Sequence, residues 1–412
     1  MNSVATKRYG RTAPYPVSVP RIVGEAGIRV LVVYSVCYRY RMPIFRRLSN
    51  TSGLSVKFLV GTGHPGTKIV NASDMSGIDV SVLKTFGLPV KSTGRSVHLS
   101  FNPTLLWWLI KSRPQVLVLQ GGELLNNAVI LLYAKARGVP IVWWSLGEIR
   151  NRKFRGLSKV YRRLVQFIER QCDAFAAYSS VGVEYFLKVG VSRERIFNLL
   201  NVVDTDIIES SLVRARAGVE ALRKQLDAED KLVVLYVGAL TRVKAVDRLI
   251  VAFSQISDTY PDVMLVIVGD GPEREAAECL STKSSSGSRI RFVGDVYDGV
   301  SEYFLLSDLV VVPGAGGLVV SDAMAHGRPV IAAIGDGVEC DLIDHEVNGY
   351  LLSTNTVEEL VTVLADALSD PQLLRAQGEN ALSRIQTEAN IGRYMNELLG
   401  SIVFAYESAR DK

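Results

Sequence analysis

The chain has 412 residues, 48% of them apolar and 22% charged. At about 100–200 residues per domain this supports two domains or three small ones, and it excludes collagen, a disordered acidic chain and a disulfide-stapled miniprotein. The net charge of +5 conceals a split: residues 1–200 hold 29 Lys and Arg against 9 Asp and Glu, whereas residues 201–412 hold 18 against 33. A basic first half calls for a polyanionic partner, nucleic acid or an anionic membrane surface.

Residues 1–27 carry Pro, Ser, Thr and Gly with little periodic apolarity, so a flexible lead-in is expected there. It has basic residues but no apolar core segment, which argues against a signal peptide. Residues 29–35 (RVLVVYS) then open a series of apolar strands, continued at 54–60, 116–119, 141–144, 174–178 and 196–200, with helices at 43–48, 124–136 and 183–189. A second series places strands at 232–237, 263–268, 290–293, 309–312 and 329–332, and helices at 246–256, 273–280 and 318–325. The tail reads as helices at 357–368, 371–384 and 391–408. Continuous apolar strands spaced by helices imply parallel sheets covered on both faces. No run of 18 uncharged apolar residues occurs, since 128–144 is broken by Lys135, Arg137 and Pro140, so no spanning helix is expected.

The fold class expected is therefore α/β, two Rossmann-like doubly wound domains facing a central cleft. The boundaries are a lead-in at 1–27, a first Rossmann-like domain at 28–205, a second at 206–390 and a C-terminal helix at 391–412. The polar, charged stretch 201–230 is read as the hinge. Ligands in such sheets bind outside the carboxyl ends of the strands, which makes the cleft the expected site. The four cysteines (Cys37, Cys172, Cys279, Cys340) show no CxxC and no histidine at metal spacing. They argue against a structural zinc site and a secreted disulfide framework, and for a reducing compartment.

Two motifs carry chemistry. The first is VGALTRVK at 237–244, after a strand and before a helix. A turn at Gly238 lets backbone N–H groups approach a phosphate, and Arg242 and Lys244 supply cations for a diphosphate. The alternative is a basic surface turn. The second is PGAGGLVVSDAMAHGRPV at 313–330, whose glycines at a helix start suit an anion nest of amides. Asp322, one helical turn in, suits a bidentate grip on a ribose diol.

With these motifs in place, residues 232–384 resemble the donor-binding domain of the family-4 retaining glycosyltransferases of GT-B fold. The matching pieces, in order, are VGALTRVK, VIVGDGPE, IRFVGD, SDLVVVPG, DAMAHGRPVIA and VNGYLL. CDAFAAYSS and VGVSRERIFNLLNVVDTD extend the resemblance back to Cys172. The resemblance implies transfer of a sugar from a nucleotide diphosphate-sugar to a growing lipid-linked saccharide, with retention and without a metal cofactor. It places the enzyme in bacterial surface polysaccharide biosynthesis, peripheral at the cytoplasmic face of the plasma membrane. In the family a lysine of the first Gly loop holds the diphosphate, and Lys244 matches it. The arginine after the Gly is Ala239 here, and Arg242 is expected to substitute. The family's Glu-x7-Glu signature falls on Gly314 and Asp322. The amides of Gly316, Gly317 and Leu318 are expected to take sugar or phosphate oxygens, with the base near Gly294 and Val296. No protein nucleophile is implied, because the leaving phosphate itself accepts the acceptor proton.

Glu148, just past the strand at 141–144, joins Lys244 and Arg242 in the catalytic set as a donor-sugar or acceptor contact. Arg39 and Arg41 are read as acceptor contacts, suited to a phosphate. Leu157, Val160, Tyr161, Leu164, Val165 and Ile168 form a stripe at helical spacing, with Lys159, Arg162, Arg163 and Arg170 around it and Arg150, Arg152, Lys153 and Arg155 just before. That is either a core stripe with a solvated basic face or a surface that docks on an anionic membrane. Asp204-Thr205-Asp206 resembles a metal-binding DxD but sits in a linker pattern, and is read as hinge or helix cap. His326 is read as structural, and Glu339 and Asp341 either approach the cleft or cap a helix. Other readings are a degenerate sugar-nucleotide-binding partner of an assembly complex and a nucleotide-sugar epimerase or hydrolase. A nucleic-acid binder is disfavoured because no aromatic-interleaved recognition motif appears.

Overall fold

A computed structural model describes residues 27–63, 70–92, 95–147, 156–284 and 286–411. The described residues divide into two compact units, one of those within 27–200 together with 392–411, the other of those within 201–391.

The first unit runs β1 (Ile28–Tyr34), α1 (Met42–Ser49), β2 (Leu54–Gly61), β3 (Asp79–Leu83), β4 (Phe86–Ser92), β5 (Arg95–Phe101), α2 (Leu105–Ser112), β6 (Val116–Gln120), α3 (Leu125–Arg137), β7 (Ile141–Ser145), α4 (Leu157–Arg170), β8 (Ala174–Ala177), α5 (Ser180–Lys188) and β9 (Ile196–Asn198). Seven strands form one parallel sheet in the order β3-β2-β1-β6-β7-β8-β9. The β-branched run of β1 explains its central place: Val30 aligns with Val56 on one side and Val116 on the other, and alternate side chains are buried on both faces. The order reverses direction between β1 and β6, the topological switch point. Strands β4 and β5 form a separate antiparallel hairpin, Phe86 opposite Phe101 with ring centroids 5.8 Å apart. No strand was expected there, because Pro89 and the charges obscure the alternation.

The second unit runs α6 (Thr205–Gln225), β10 (Leu232–Val237), α7 (Val246–Ile256), β11 (Val263–Val268), α8 (Arg274–Thr282), β12 (Ile290–Gly294), α9 (Val300–Leu306), β13 (Leu309–Val312), α10 (Val319–Ala325), β14 (Val330–Ala333), α11 (Val338–Leu342), β15 (Gly349–Leu352), α12 (Val357–Ser369) and α13 (Pro371–Thr387). Its six-stranded sheet has the order β12-β11-β10-β13-β14-β15, all pairs parallel, with the switch between β10 and β13. The stretch read as a hinge is mostly helix. Asp204 caps α6 by accepting the Ile207 amide at 3.3 Å, and Ala215 and Leu222 are buried. Its polarity reflects a mostly exposed helix rather than a linker.

The last helix, α14 (Ile391–Arg410), follows the second unit in sequence but folds with the first. Its Tyr394 hydroxyl accepts a 2.8 Å hydrogen bond from Arg41, and its Phe404 packs on Phe197 of β9.

Candidate functional site

In the second unit the chemistry-bearing loops gather at the carboxyl ends of the strands. After β10, Gly238 donates its amide to the Val268 carbonyl at 3.0 Å, tying the first Gly loop to the end of β11. A single 3₁₀ turn, Arg242–Lys244, then points Lys244 back across the sheet edge. Its Nζ donates to the carbonyls of Ala315 (2.6 Å) and Gly316 (2.9 Å), in the loop after β13. The two loops are docked backbone to backbone. Ala315 N–H donates to the Val243 carbonyl at 3.0 Å, and a Cβ at Gly314 would come within 2.5 Å of that oxygen and 2.7 Å of the Lys244 carbonyl. Position 314 therefore admits no glutamate in this backbone, whatever its chemistry.

The loop after β14 closes against the same place. A Cβ at Gly335 would meet Ala315 Cα at 2.8 Å, and one at Gly317 would lie 3.8 Å from an Asp336 carboxylate oxygen. Glu339, fully buried, accepts the amides of Gly335 and Gly337. Burial, and then its hydrogen bond with Asp336, push the Glu339 carboxyl up to about 8. The Glu339 carboxyl therefore holds its proton more tightly than an ordinary glutamate. Burial also lowers the Lys244 ammonium, against the opposing pull of these two carboxyls. The result is a partly desolvated cation held by neutral carbonyls, a state that an added anion relieves.

Asp322 stands on α10, its side chain a quarter exposed, and burial pushes its carboxyl up to about 7. His326, one turn on, lies with Nδ1 2.8 Å from the Asp322 carbonyl and stacks on Phe304 at 5.0 Å. Burial lowers its imidazole, so it is neutral, and its place is structural. Leu318 precedes α10 and takes the Ser321 hydroxyl (2.9 Å) on its carbonyl; Ser321 in turn accepts the Val203 amide at 3.1 Å.

The sequence-selected residues fall into groups. Lys244, Gly316 and Gly317 are brought together, with Leu318 and Asp322 on the segment that follows. Gly294 ends β12 on the same edge and accepts the Gly269 amide at 2.7 Å, with half-buried Val296 beyond it. Arg242 is not in the cluster: its side chain is 92% exposed and approaches Glu273 at 4.0 Å. Glu148, Arg150, Arg152, Lys153 and Arg155 lie outside the described residues.

In the first unit Arg39 is exposed, whereas Arg41 is buried at 2%. The Arg41 guanidinium stands over Tyr178 (4.6 Å), Trp144 (5.2 Å) and Tyr40 (5.3 Å), beside the Tyr34–Tyr178 hydroxyl pair at 3.1 Å. Sequence reading singled out the arginine but missed this aromatic setting, whose members lie up to 353 positions apart. It also weighed Glu339 without its partner Asp336, although two carboxyls three apart just past a strand were a readable signal. The proposed stripe on α4 is divided: Val165 and Ile168 are buried, Val160 and Leu164 are exposed, and the Leu157 side chain lies outside the described residues. Among the described residues no cluster of three potential metal ligands occurs, and no helix is long and apolar enough to cross a membrane.

The geometry agrees with what the chain resembles. Residues 219–384 match the model of the family Glycosyl transferases group 1. The sulfoquinovosyl transferase SQD2 of Arabidopsis thaliana is 26% identical over 364 residues, 85% of this chain and 67% of the relative. The alpha-D-kanosaminyltransferase of Streptomyces kanamyceticus is 27% identical over 267 residues, 61% of this chain and 67% of the relative. Among solved structures, Anabaena HepE in complex with UDP aligns over 90% of this chain and 98% of its own, with a TM-score of 0.68 at 19% identity. The fold is therefore that of the GT-B enzymes, and the chain is a glycosyltransferase that carries the group 1 domain in its second unit.

Proposed function

We propose that this glycosyltransferase moves a sugar from a nucleoside diphosphate-sugar to a growing lipid-linked saccharide in bacterial surface polysaccharide biosynthesis, with retention at the anomeric carbon. The observation that carries the donor reading is Lys244: a half-buried ammonium held over a glycine loop by two carbonyls, whose burial cost exceeds the pull of Asp336 and Glu339 and leaves a demand for an added anion. A diphosphate meets that demand. UDP is the first nucleotide to test, since HepE was crystallised with it. Asp322 takes the ribose diol, Gly316 and Gly317 line the diphosphate, and the base rests near Gly294 and Val296.

In the reaction the bond between the sugar C1 and the β-phosphate oxygen breaks, and a bond from the acceptor hydroxyl oxygen to C1 forms. The acceptor proton passes to the departing phosphate. Lys244 neutralises the charge that grows on that phosphate, so the chain needs no metal for this step. Asp336, a neighbour of Lys244 and of the loop at Gly317, is placed to accept a hydroxyl of the donor sugar, a contact that position 314 does not offer. Exposed Arg39 is the acceptor contact of the first unit. Arg41, occupied with Tyr394 and its rings, fixes the surrounding tyrosines.

Mass spectrometry after offering a panel of UDP- and GDP-sugars with lipid-linked acceptor tests the reading. One donor should be consumed and its sugar found on the lipid product. Crystals soaked with UDP that show the nucleotide away from Lys244 overturn the site, and absence of turnover with every donor overturns the acceptor assignment.

A further inference from the structure

We infer that the outer face of α2, α3 and α4 docks on an anionic lipid bilayer. The inference rests on the lipid-linked acceptor reading and gives it a surface. The three helices cover one side of the first sheet. Their inner residues, such as Leu109, Ile130 and Ile168, join the core with Leu117, Trp143 and Phe175. α2 packs on α3 and α3 on α4, so their outward sides are continuous. An ordinary surface helix is polar on that side. Here it carries Trp107 and Ile110 on α2, Val129 and Leu132 on α3, and Leu164 and Phe167 on α4, all exposed, Leu132 at 72% and Phe167 at 61%. Six large apolar side chains on adjoining helices far exceed the scattered exposure of a free surface.

Charge decides the occupant. Lys111, Lys135, Arg137, Lys159 and Arg163 are exposed on or between these stripes. The one acidic residue of the three helices, Glu169, is 1% exposed and accepts the Tyr185 hydroxyl at 2.6 Å. The face therefore presents apolar and cationic groups only. A second copy of the chain would bring the same cations against it, so self-association is opposed. An anionic bilayer accepts both groups, apolar side chains below the headgroups and cations among them. Trp107 with Lys111, whose Nζ lies 4.6 Å from its ring centroid, has the chemistry of a headgroup-level anchor.

The test is flotation of the full chain with vesicles of phosphatidylcholine alone and of phosphatidylcholine with phosphatidylglycerol. The protein should partition onto the anionic vesicles at least about tenfold better than onto neutral ones, with the preference falling as salt rises. Leu132→Ser with Phe167→Ser should lose about tenfold of that binding, as should Lys135→Glu with Arg163→Glu, with Tm unchanged since all four are exposed. Equal binding by wild type and variants overturns the inference, as does a dimer in solution that the serine variant dissociates. Detergent-solubilised acceptor separates the two claims. Transfer there without vesicle binding overturns the docking face alone, while vesicle binding without transfer to lipid acceptor overturns the acceptor reading alone.

Discussion

The two units share a plan and differ in what they build with it. Each is a parallel sheet whose order reverses beside its first strand, at β1/β6 in one and β10/β13 in the other. At the switch of the second unit the loops are glycine, and they touch through backbone: Gly314 on Val243 and Lys244, Gly335 on Ala315. At the switch of the first the contacts are side chains. Gln120 takes both the amide (2.9 Å) and the hydroxyl (2.8 Å) of Ser35, and Arg41 is ringed by tyrosines and Trp144. Backbone suits a diphosphate, whose oxygens are the same in every nucleotide. Side chains suit an acceptor that must be told from others.

Four substitutions break or sharpen this contrast. The largest effect is expected of Lys244→Met: a loss of about 100–1000-fold in kcat/KM, read in a transfer assay, with UDP affinity reduced in calorimetry. The same change should raise Tm of the ligand-free protein, because the ammonium is held at a desolvation cost. Gly314→Glu, which writes the family residue into this backbone, should destabilise by about 2–3 kcal/mol in urea unfolding and should not improve activity, since its Cβ has no room. Arg41→Leu should cost about 2 kcal/mol in the same experiment, leaving the Tyr394 hydroxyl without its donor, and should not change UDP affinity. The last effect is read as a slope. The Asp322 carboxyl sits at about 7 when folded against an ordinary 3.8, so the native state binds its proton more tightly. Its share of stability is therefore present at low pH and lost as pH rises through this window. Asp322→Asn should flatten that decline in Tm against pH, and should weaken UDP because the amide no longer accepts both ribose hydroxyls.

The same contrast explains what the sequence revealed. β10, β11, β13 and β14 are short apolar runs closed by glycine or proline, so the elements and the glycine loops could be read directly. The Lys244 position followed from the turn itself. Asp336 was missed because its relevance depends on a loop folding back over Ala315, a contact that no local pattern encodes. The outward apolar residues of α4 were counted with the inward ones because Val160, Leu164 and Ile168 differ by one turn each. Which edge of a wide apolar stripe meets the sheet is decided by tertiary packing. Helix α6 was misjudged for the opposite reason: it buries little, so its polar sequence read as a hinge, although the helix cap at Asp204 was one of the two readings offered for that position.

The return of α14 to the first unit has a consequence for how the molecule is made. During synthesis the pocket around Arg41 emerges from the ribosome long before Tyr394 does. At 5–20 residues per second the intervening chain takes roughly 15–70 s to appear. Throughout that interval Asn201–Ile391 can complete its own sheet while the earlier-born lobe waits with a buried cation half dressed. The part translated first is thus finished last, and chaperone dependence of a nascent chain stalled before residue 391 is where that order would be felt.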